Sequence, residues 1–271
     1  MTDTKVVIVT GSSSGIGEAT AYLFANEGYH VVVTGSNADK VNRVMDTIKQ
    51  KYPDKPEALG IVCDLSEPDN VESILKQTID KFGRLDVLVN NAGKIAITTG
   101  SDPNSYEAYR NVMAVNLDST VRLSLLAAPH LKSTKGNIVN VASVAATKPS
   151  NKSYAYCASK AAMTLFGKCL AIDLAPEVRV NNVLPGPVVT DIAKVLGAPP
   201  AALEAAGKTL CMTERAGQPH EVADAIYYLA SDKAAFITGS DLVIDGGYVI
   251  KPTGLARTVS QMQQHQQQHP Q

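Results

Sequence analysis

Val6-Val7-Ile8-Val9-Thr10-Gly11-Ser12-Ser13-Ser14-Gly15-Ile16-Gly17 joins a β-branched apolar run to a turn of small residues, and Glu18–Ala25 continues from it with helical composition. An apolar run without polar alternation suits a strand buried on both faces, as in a parallel sheet covered by helices. Glycines let the backbone turn tightly and approach a ligand, while the following helix points unpaired N–H groups and its positive dipole end at the same spot. This is the logic of a dinucleotide site, written here as G-x-x-x-G-x-G rather than the commoner G-x-G-x-x-G. Three glycines after a strand also make an ordinary flexible turn, so the remainder of the chain decides.

The remainder alternates. Strands are predicted at Lys5–Thr10, His30–Thr34, Ala58–Val62, Leu85–Val89, Asn137–Val141, Val178–Val183 and Asp241–Ile244. Between them lie predicted helices to Glu27, and over Ala38–Lys51, Pro68–Phe82, Ser105–Ala128, Ser153–Ala175 and His220–Ala230. Such alternation implies right-handed βαβ crossovers and an α/β fold: a single doubly wound, Rossmann-type parallel sheet with helices on both faces. The stretch Pro187–Gly217 reads as an irregular connection, long enough for a lid or specificity loop. One domain is expected over residues 1–252. Residues 253–271, ending in the Gln/His-rich run Gln261–Gln271, lack apolar residues and are expected to be a disordered tail, with His265 and His269 solvated.

With 45% hydrophobic and 19% charged residues and a net charge of -1, the 271-residue chain resembles an ordinary globule. It has neither a basic footprint for nucleic acid nor a polybasic face for a membrane. Apolar runs such as Val31-Val32-Val33 fall far short of a bilayer span, and Met1–Lys5 leaves no room for a signal peptide. His269-Pro270-Gln271 is not a peroxisomal address, so a cytoplasmic location is expected. Cys63, Cys157, Cys169 and Cys211 form no C-x-x-C pair and no metal-binding pattern, and are read as reduced thiols.

Chemistry concentrates in Tyr156-Cys157-Ala158-Ser159-Lys160. Residues four apart share a helix face, so phenol and ammonium can point into one cleft. A free phenol titrates near 10, and a neighbouring cation would favour the phenolate. Alone the pair is weak, since Tyr and Lys are common on helix surfaces. Ser143 strengthens it: it follows the strand Asn137–Val141, at the strand end where doubly wound folds bind ligands. A hydroxyl there can hold a substrate carbonyl and steady developing oxyanion charge.

Taken in order, these motifs resemble the short-chain dehydrogenase/reductase family over roughly residues 5–250. Cys63-Asp64-Leu65 matches the family's adenine-side Asp, Asn90-Asn91-Ala92-Gly93 its N-N-A-G element, and Pro185-Gly186 with Thr190 its nicotinamide-lining stretch. The resemblance implies a catalytic set of Asn116, Ser143, Tyr156 and Lys160, with Ser143 and Tyr156 on the substrate and Lys160 on the nicotinamide ribose. Asn116 would anchor a proton-relaying water from a helix irregularity. The implied cofactor contacts are Gly11, Ser13, Ser14, Gly15, Ile16, Gly17, Ser36, Asn37, Asp64, Leu65, Asn91, Ala92, Gly93, Tyr156, Lys160, Pro185, Gly186, Val188 and Thr190. Family members are commonly oligomers built on the two long helices, so a homotetramer or dimer is expected.

Cofactor choice is read at the end of the second strand, where an acid favours NAD and an Arg favours NADP. Thr34-Gly35-Ser36-Asn37 carries neither, and nearby Lys40 and Arg43 tilt the reading slightly toward NADP over NAD. Asp39 is read as a first-turn helix acid, Cys157 as a buried structural thiol, Tyr154 as packing and Lys94 as a solvated side chain. Ile192, Val195, Leu196, Leu203, Leu210 and Met212 suggest an apolar substrate pocket for a small-molecule carbonyl or alcohol. The rival reading is a non-catalytic NAD(P)-binding redox sensor, which loss of a catalytic residue would have favoured.

Overall fold

The computed structural model describes residues 3–192 and 199–252. The disordered-tail expectation for residues 253–271 and the pocket candidates Val195 and Leu196 lie outside the described residues. Seven parallel strands form one sheet in the order β3-β2-β1-β4-β5-β6-β7. They are β1 Val6–Val9, β2 His30–Gly35, β3 Leu59–Val62, β4 Val87–Asn90, β5 Asn137–Val141, β6 Arg179–Pro185 and β7 Asp241–Ile244.

Side chains alternate across the sheet and each set finds its own core. Val6 and Ile8 face the layer holding Ile74, Leu123, Leu131 and Leu170, whereas Val7 and Val9 face Phe24, Val41, Val44 and Ile226. The first layer is built by α3 (Pro68–Phe82), α5 (Ser119–Thr134) and α6 (Tyr154–Leu174). The second is built by α1 (Gly15–Asn26), α2 (Ala38–Lys51) and the last long helix, Pro219–Ala230. Helix ends follow local chemistry: Asn37 caps α2, Pro68 opens α3, and Gly83 closes α3 in the left-handed conformation.

Two stretches differ in outline from the predicted elements, the first at the helix irregularity that the resemblance implies for Asn116. The predicted helix Ser105–Ala128 is divided: α4 (Ser105–Met113) passes through a π-helical turn at Ala114–Asp118 into α5. The stretch taken as irregular contains a helix, α7, over Pro200–Leu210; its four alanines favour helix and Pro200 stands in its first turn. The helix Pro219–Ala230 is therefore α8.

A polar rung crosses the sheet beneath α6. Asn90, Asn140, Asn182 and Asp241 are paired in register on β4 to β7. Asn90 donates to Asn140 (2.9 Å), Asn140 to Asn182 (3.0 Å) and Asn182 to Asp241 (2.8 Å). Gly167 of α6 lets the helix lie on this rung, since a Cβ there would come within 2.4 Å of Asn182 Oδ1.

Candidate active site

The strand order reverses between β1 and β4, because β2 and β3 lie on one side of β1 and β4 to β7 on the other. A crevice opens above such a switch point. Thr10 ties its two lips together: Thr10 Oγ1 accepts from the backbone N–H groups of Asn91 and Ala92, each at 3.0 Å, while Asn91 Nδ2 donates to Thr10 O at 2.8 Å.

Glycine is required at two points of this turn. Gly11 sits at φ +63°, and a Cβ there would lie 2.8 Å from Ala92 Cα; Gly17 lets α1 press onto the turn, where a Cβ would come within 2.5 Å of Gly11 O. Above the turn lies a cavity of about 560 Å³, bordered by Gly11, Ser13–Ile16, Ser36, Asp64, Leu65, Asn91 and Ala92 at one end. Ser143, Tyr156 and Lys160 border the other end, with Gly93 close to Lys160. Pro185, Gly186, Val188 and Thr190 also line the cavity, Thr190 lying close to the turn, where a Cβ on Gly15 would come within 3.2 Å of its Cγ2. The side chain of Ser14 does not cap α1, which leaves the first helical N–H groups facing the cavity. A cradle that a Cβ would fill, beside a helix N-terminus, fits a dinucleotide pyrophosphate.

At the far end Ser143 leaves β5 in extended backbone, its Oγ accepting from Ala145 N at 3.1 Å. Ser143 and the phenol of Tyr156 share a hydrogen bond, which favours the phenolate; burial outweighs it and raises the Tyr156 pKa. The expected lowering by Lys160 is therefore corrected. Lys160 Nζ donates to Val141 O at 2.8 Å and lies 5.8 Å from the Tyr156 ring centroid, and burial lowers its own pKa to about 8.

Asn116 stands behind the cavity wall, fully buried in the π-helical turn. Its Oδ1 accepts from Lys94 N at 2.8 Å, and its Nδ2 donates to Lys94 O and Ser159 Oγ, each at 3.0 Å. π-turns inside α-helices are frequent at functional sites.

Other predicted positions divide. Ser36 borders the cavity, but Asn37 uses its side chain to accept from Lys40 N at 2.9 Å as the α2 cap, beside the cavity and not in its wall. Gly17, likewise outside the wall, packs the turn. Lys40 and Arg43 are committed elsewhere: Lys40 reaches Asp191 (3.4 Å), and Arg43 grips both Glu18 oxygens (2.6 and 2.7 Å) and Ser13 O (3.2 Å). Asp39 does lie in the first turn of α2. Cys157 is only half-buried, 3.9 Å from Ser153 Oγ, and Tyr154 is exposed rather than packed. Ile192 and Leu203 border the cavity, while Leu210 and Met212 are exposed and do not.

Sequence reasoning missed Val115 and Asp191 in the wall; Lys94 is exposed, as expected of a solvated side chain, and also borders the cavity. Among the described residues no group of three or more His, Cys, Asp or Glu side chains is arranged to hold a metal ion, and no helix is long and apolar enough to cross a membrane.

Residues 11–249 match the family model described as Enoyl-(Acyl carrier protein) reductase. The meso-2,3-butanediol dehydrogenase of Serratia marcescens is 36% identical over 246 residues, covering 90% of this chain and 94% of that protein. A short-chain dehydrogenase/reductase of Caenorhabditis elegans, solved with cofactor, superposes with TM-score 0.85 at 35% identity, covering 92% of this chain and 96% of that one. A 7α-hydroxysteroid dehydrogenase complexed with NADH and 7-oxo glycochenodeoxycholic acid gives TM-score 0.83 at 32% identity, over 92% and 96%. The chain belongs to the short-chain dehydrogenase/reductase family, and its parallel sheet between two helical layers is that family's Rossmann-type fold.

Proposed function

We propose that this chain is an NAD(P)-dependent oxidoreductase that interconverts a small-molecule secondary alcohol and its carbonyl. The observation that carries the reading is one cavity bordered at one end by the glycine turn and at the other by Ser143, Tyr156 and Lys160. The dinucleotide, when bound, supplies or takes up the hydride. Ser143 and Tyr156, already hydrogen-bonded to each other, both direct hydroxyls at a substrate oxygen, and in reduction Tyr156 hands over its proton as charge develops there. A raised phenol pKa keeps that proton in place at neutral pH, which suits the acid role. Lys160 turns its ammonium to the nicotinamide ribose, and Asn116 acts through the Lys94 backbone and Ser159 to anchor the proton path.

Both nicotinamides are accepted, with NADP favoured over NAD. Gly35 offers no carboxylate to repel a 2′-phosphate, and the small hydroxyl side chains of Ser13 and Ser36 border the cavity nearby. Lys40 and Arg43, each engaged elsewhere, are not part of that preference. Residues 1–252 form the catalytic domain, in the cytoplasm. It assembles as a homo-oligomer through α5 and α6, whose Leu125 (56%), Leu165 (64%) and Ile172 (78%) are exposed. A panel of alcohols and carbonyls, followed by nicotinamide absorbance with each cofactor, tests the activity; turnover of none would refute it.

A further inference from the structure

The cations around the dinucleotide groove are not equally available. Lys40 is paired with Asp191, Arg43 with Glu18, and Lys160 donates to Val141 O. Lys94 differs. It borders the cavity, and among the described residues its ammonium makes no hydrogen bond or ion pair.

Its placement is directional. Asn116 pins the Lys94 backbone from both sides, by bonds of 2.8 and 3.0 Å. The preceding residue, Gly93, lies so near Lys160 that a Cβ there would be 3.3 Å from its Nζ. The stem therefore starts at the catalytic end. Its charge is felt at the other end, where it contributes to holding the Asp64 carboxyl below its usual range, behind the larger effect of hydrogen bonds from Ser66 N and Oγ. Lys94 thus borders the same cavity as the glycine turn and Asp64, the space that a dinucleotide would occupy.

Charge balance makes the same point. Asp64, Lys94, Lys160 and Asp191 are the charged residues bordering the cavity, and the Ser12-Ser13-Ser14 turn carries none. Asp191 is already paired with Lys40, so without Lys94 the wall would hold one further acid, Asp64, and one base, Lys160, around a ligand that itself brings at least two negative charges. We propose that Lys94 is a cofactor-binding residue of this chain, its ammonium meeting the phosphate groups of the bound dinucleotide. The proposal rests on the nicotinamide reading above and names a cation of the cavity wall besides Lys160, Arg43 at the glycine turn being held by Glu18 and Ser13 O.

Lys94→Met keeps the stem and removes the charge, and Lys94→Arg restores it. Dissociation constants for NADH and NADPH are measured for the full-length protein and both variants at low and high ionic strength, with the melting temperature of each recorded. The expected result is a weakening of about tenfold in Lys94→Met at low salt, a shallower salt dependence than wild type, and substantial recovery in Lys94→Arg. Equal losses for the two cofactors put the ammonium on the pyrophosphate; a larger loss for NADPH puts it on the 2′-phosphate. Either supports the proposal. Wild-type affinities and salt dependence in Lys94→Met overturn it, as does a loss that is the same at every salt concentration. A wild-type protein that binds neither cofactor removes the nicotinamide reading and this proposal together.

Discussion

The hydroxyl of Ser13 fills the space that a side chain at position 35 would need: a Cβ on Gly35 would lie 2.4 Å from Ser13 Oγ and 2.7 Å from Ser13 Cβ. Absence of an acid at the end of β2 and presence of a serine in the glycine turn are thus two sides of one packing choice.

Cofactor preference should follow that coupling. Gly35→Asp alone is expected to weaken both cofactors, because the turn must shift to admit the new side chain. Combined with Ser13→Gly it is expected to favour NADH, the carboxylate accepting from the ribose hydroxyls and repelling a 2′-phosphate. Ser36→Arg is expected to tighten NADPH about ten- to a hundredfold through charge-assisted bonds. Fluorescence titration with both cofactors decides; identical preferences in the single and double variants would contradict the coupling.

Tyr156→Phe removes the phenolic hydroxyl and little volume. Turnover should fall by roughly 10²–10⁴ while cofactor affinity holds. Stopped-flow measurement at saturating cofactor separates the two quantities, and near-normal turnover would exclude Tyr156 as the proton carrier.

Lys160 predicts a pH dependence of stability. Its pKa is lowered from 10.5 to about 8 by burial, so the unfolded chain binds more protons than the folded one between those values. The cost of burying the ammonium, on the order of 3 kcal/mol, is present in full below about pH 8 and is relieved as pH rises toward 10.5. Lys160→Met lacks this dependence. Wild type should gain stability on the variant between pH 7 and about pH 10, read from paired denaturant titrations; parallel profiles would contradict a buried, depressed lysine.

The exposed faces of α5 and α6 make a prediction about assembly. Leu165→Asp with Ile172→Asp should reduce the oligomer to a smaller species in light scattering, with the fold retained by circular dichroism. An unchanged mass would place the interface elsewhere.

Much of this architecture was legible because its signals are local. Apolar runs bounded by Gly, Asn and Ser located all seven strands, and α2, α3, β5 and β7 match their predicted limits. The four-residue spacing of Tyr156 and Lys160 and the strand-end position of Ser143 needed no more than helix and sheet periods. The cap at Asn37 carries a local signal too: Asn ahead of Ala-Asp-Lys is a helix cap, and the cap engages its Oδ1. The pairing of Lys40 with Asp191, 151 residues apart, has no local signature. Neither has the π-turn at Asn116, because apolar periodicity continues on both sides of the inserted residue.

The adjacency of β1 and β4 also bears on how the molecule reaches its native state. Val7 pairs with Val87 and Val9 with Val89, so the two lips of the crevice come from chain segments some eighty residues apart. Parallel pairing at that separation incurs its loop-closure entropy before any contact rewards it, which places this seam among the slow events of folding. A dinucleotide seated across it touches both segments and is bound only once they have met. It therefore acts as a clasp, opposing separation of the two halves and lowering the population of opened, protease-sensitive forms in proportion to its occupancy.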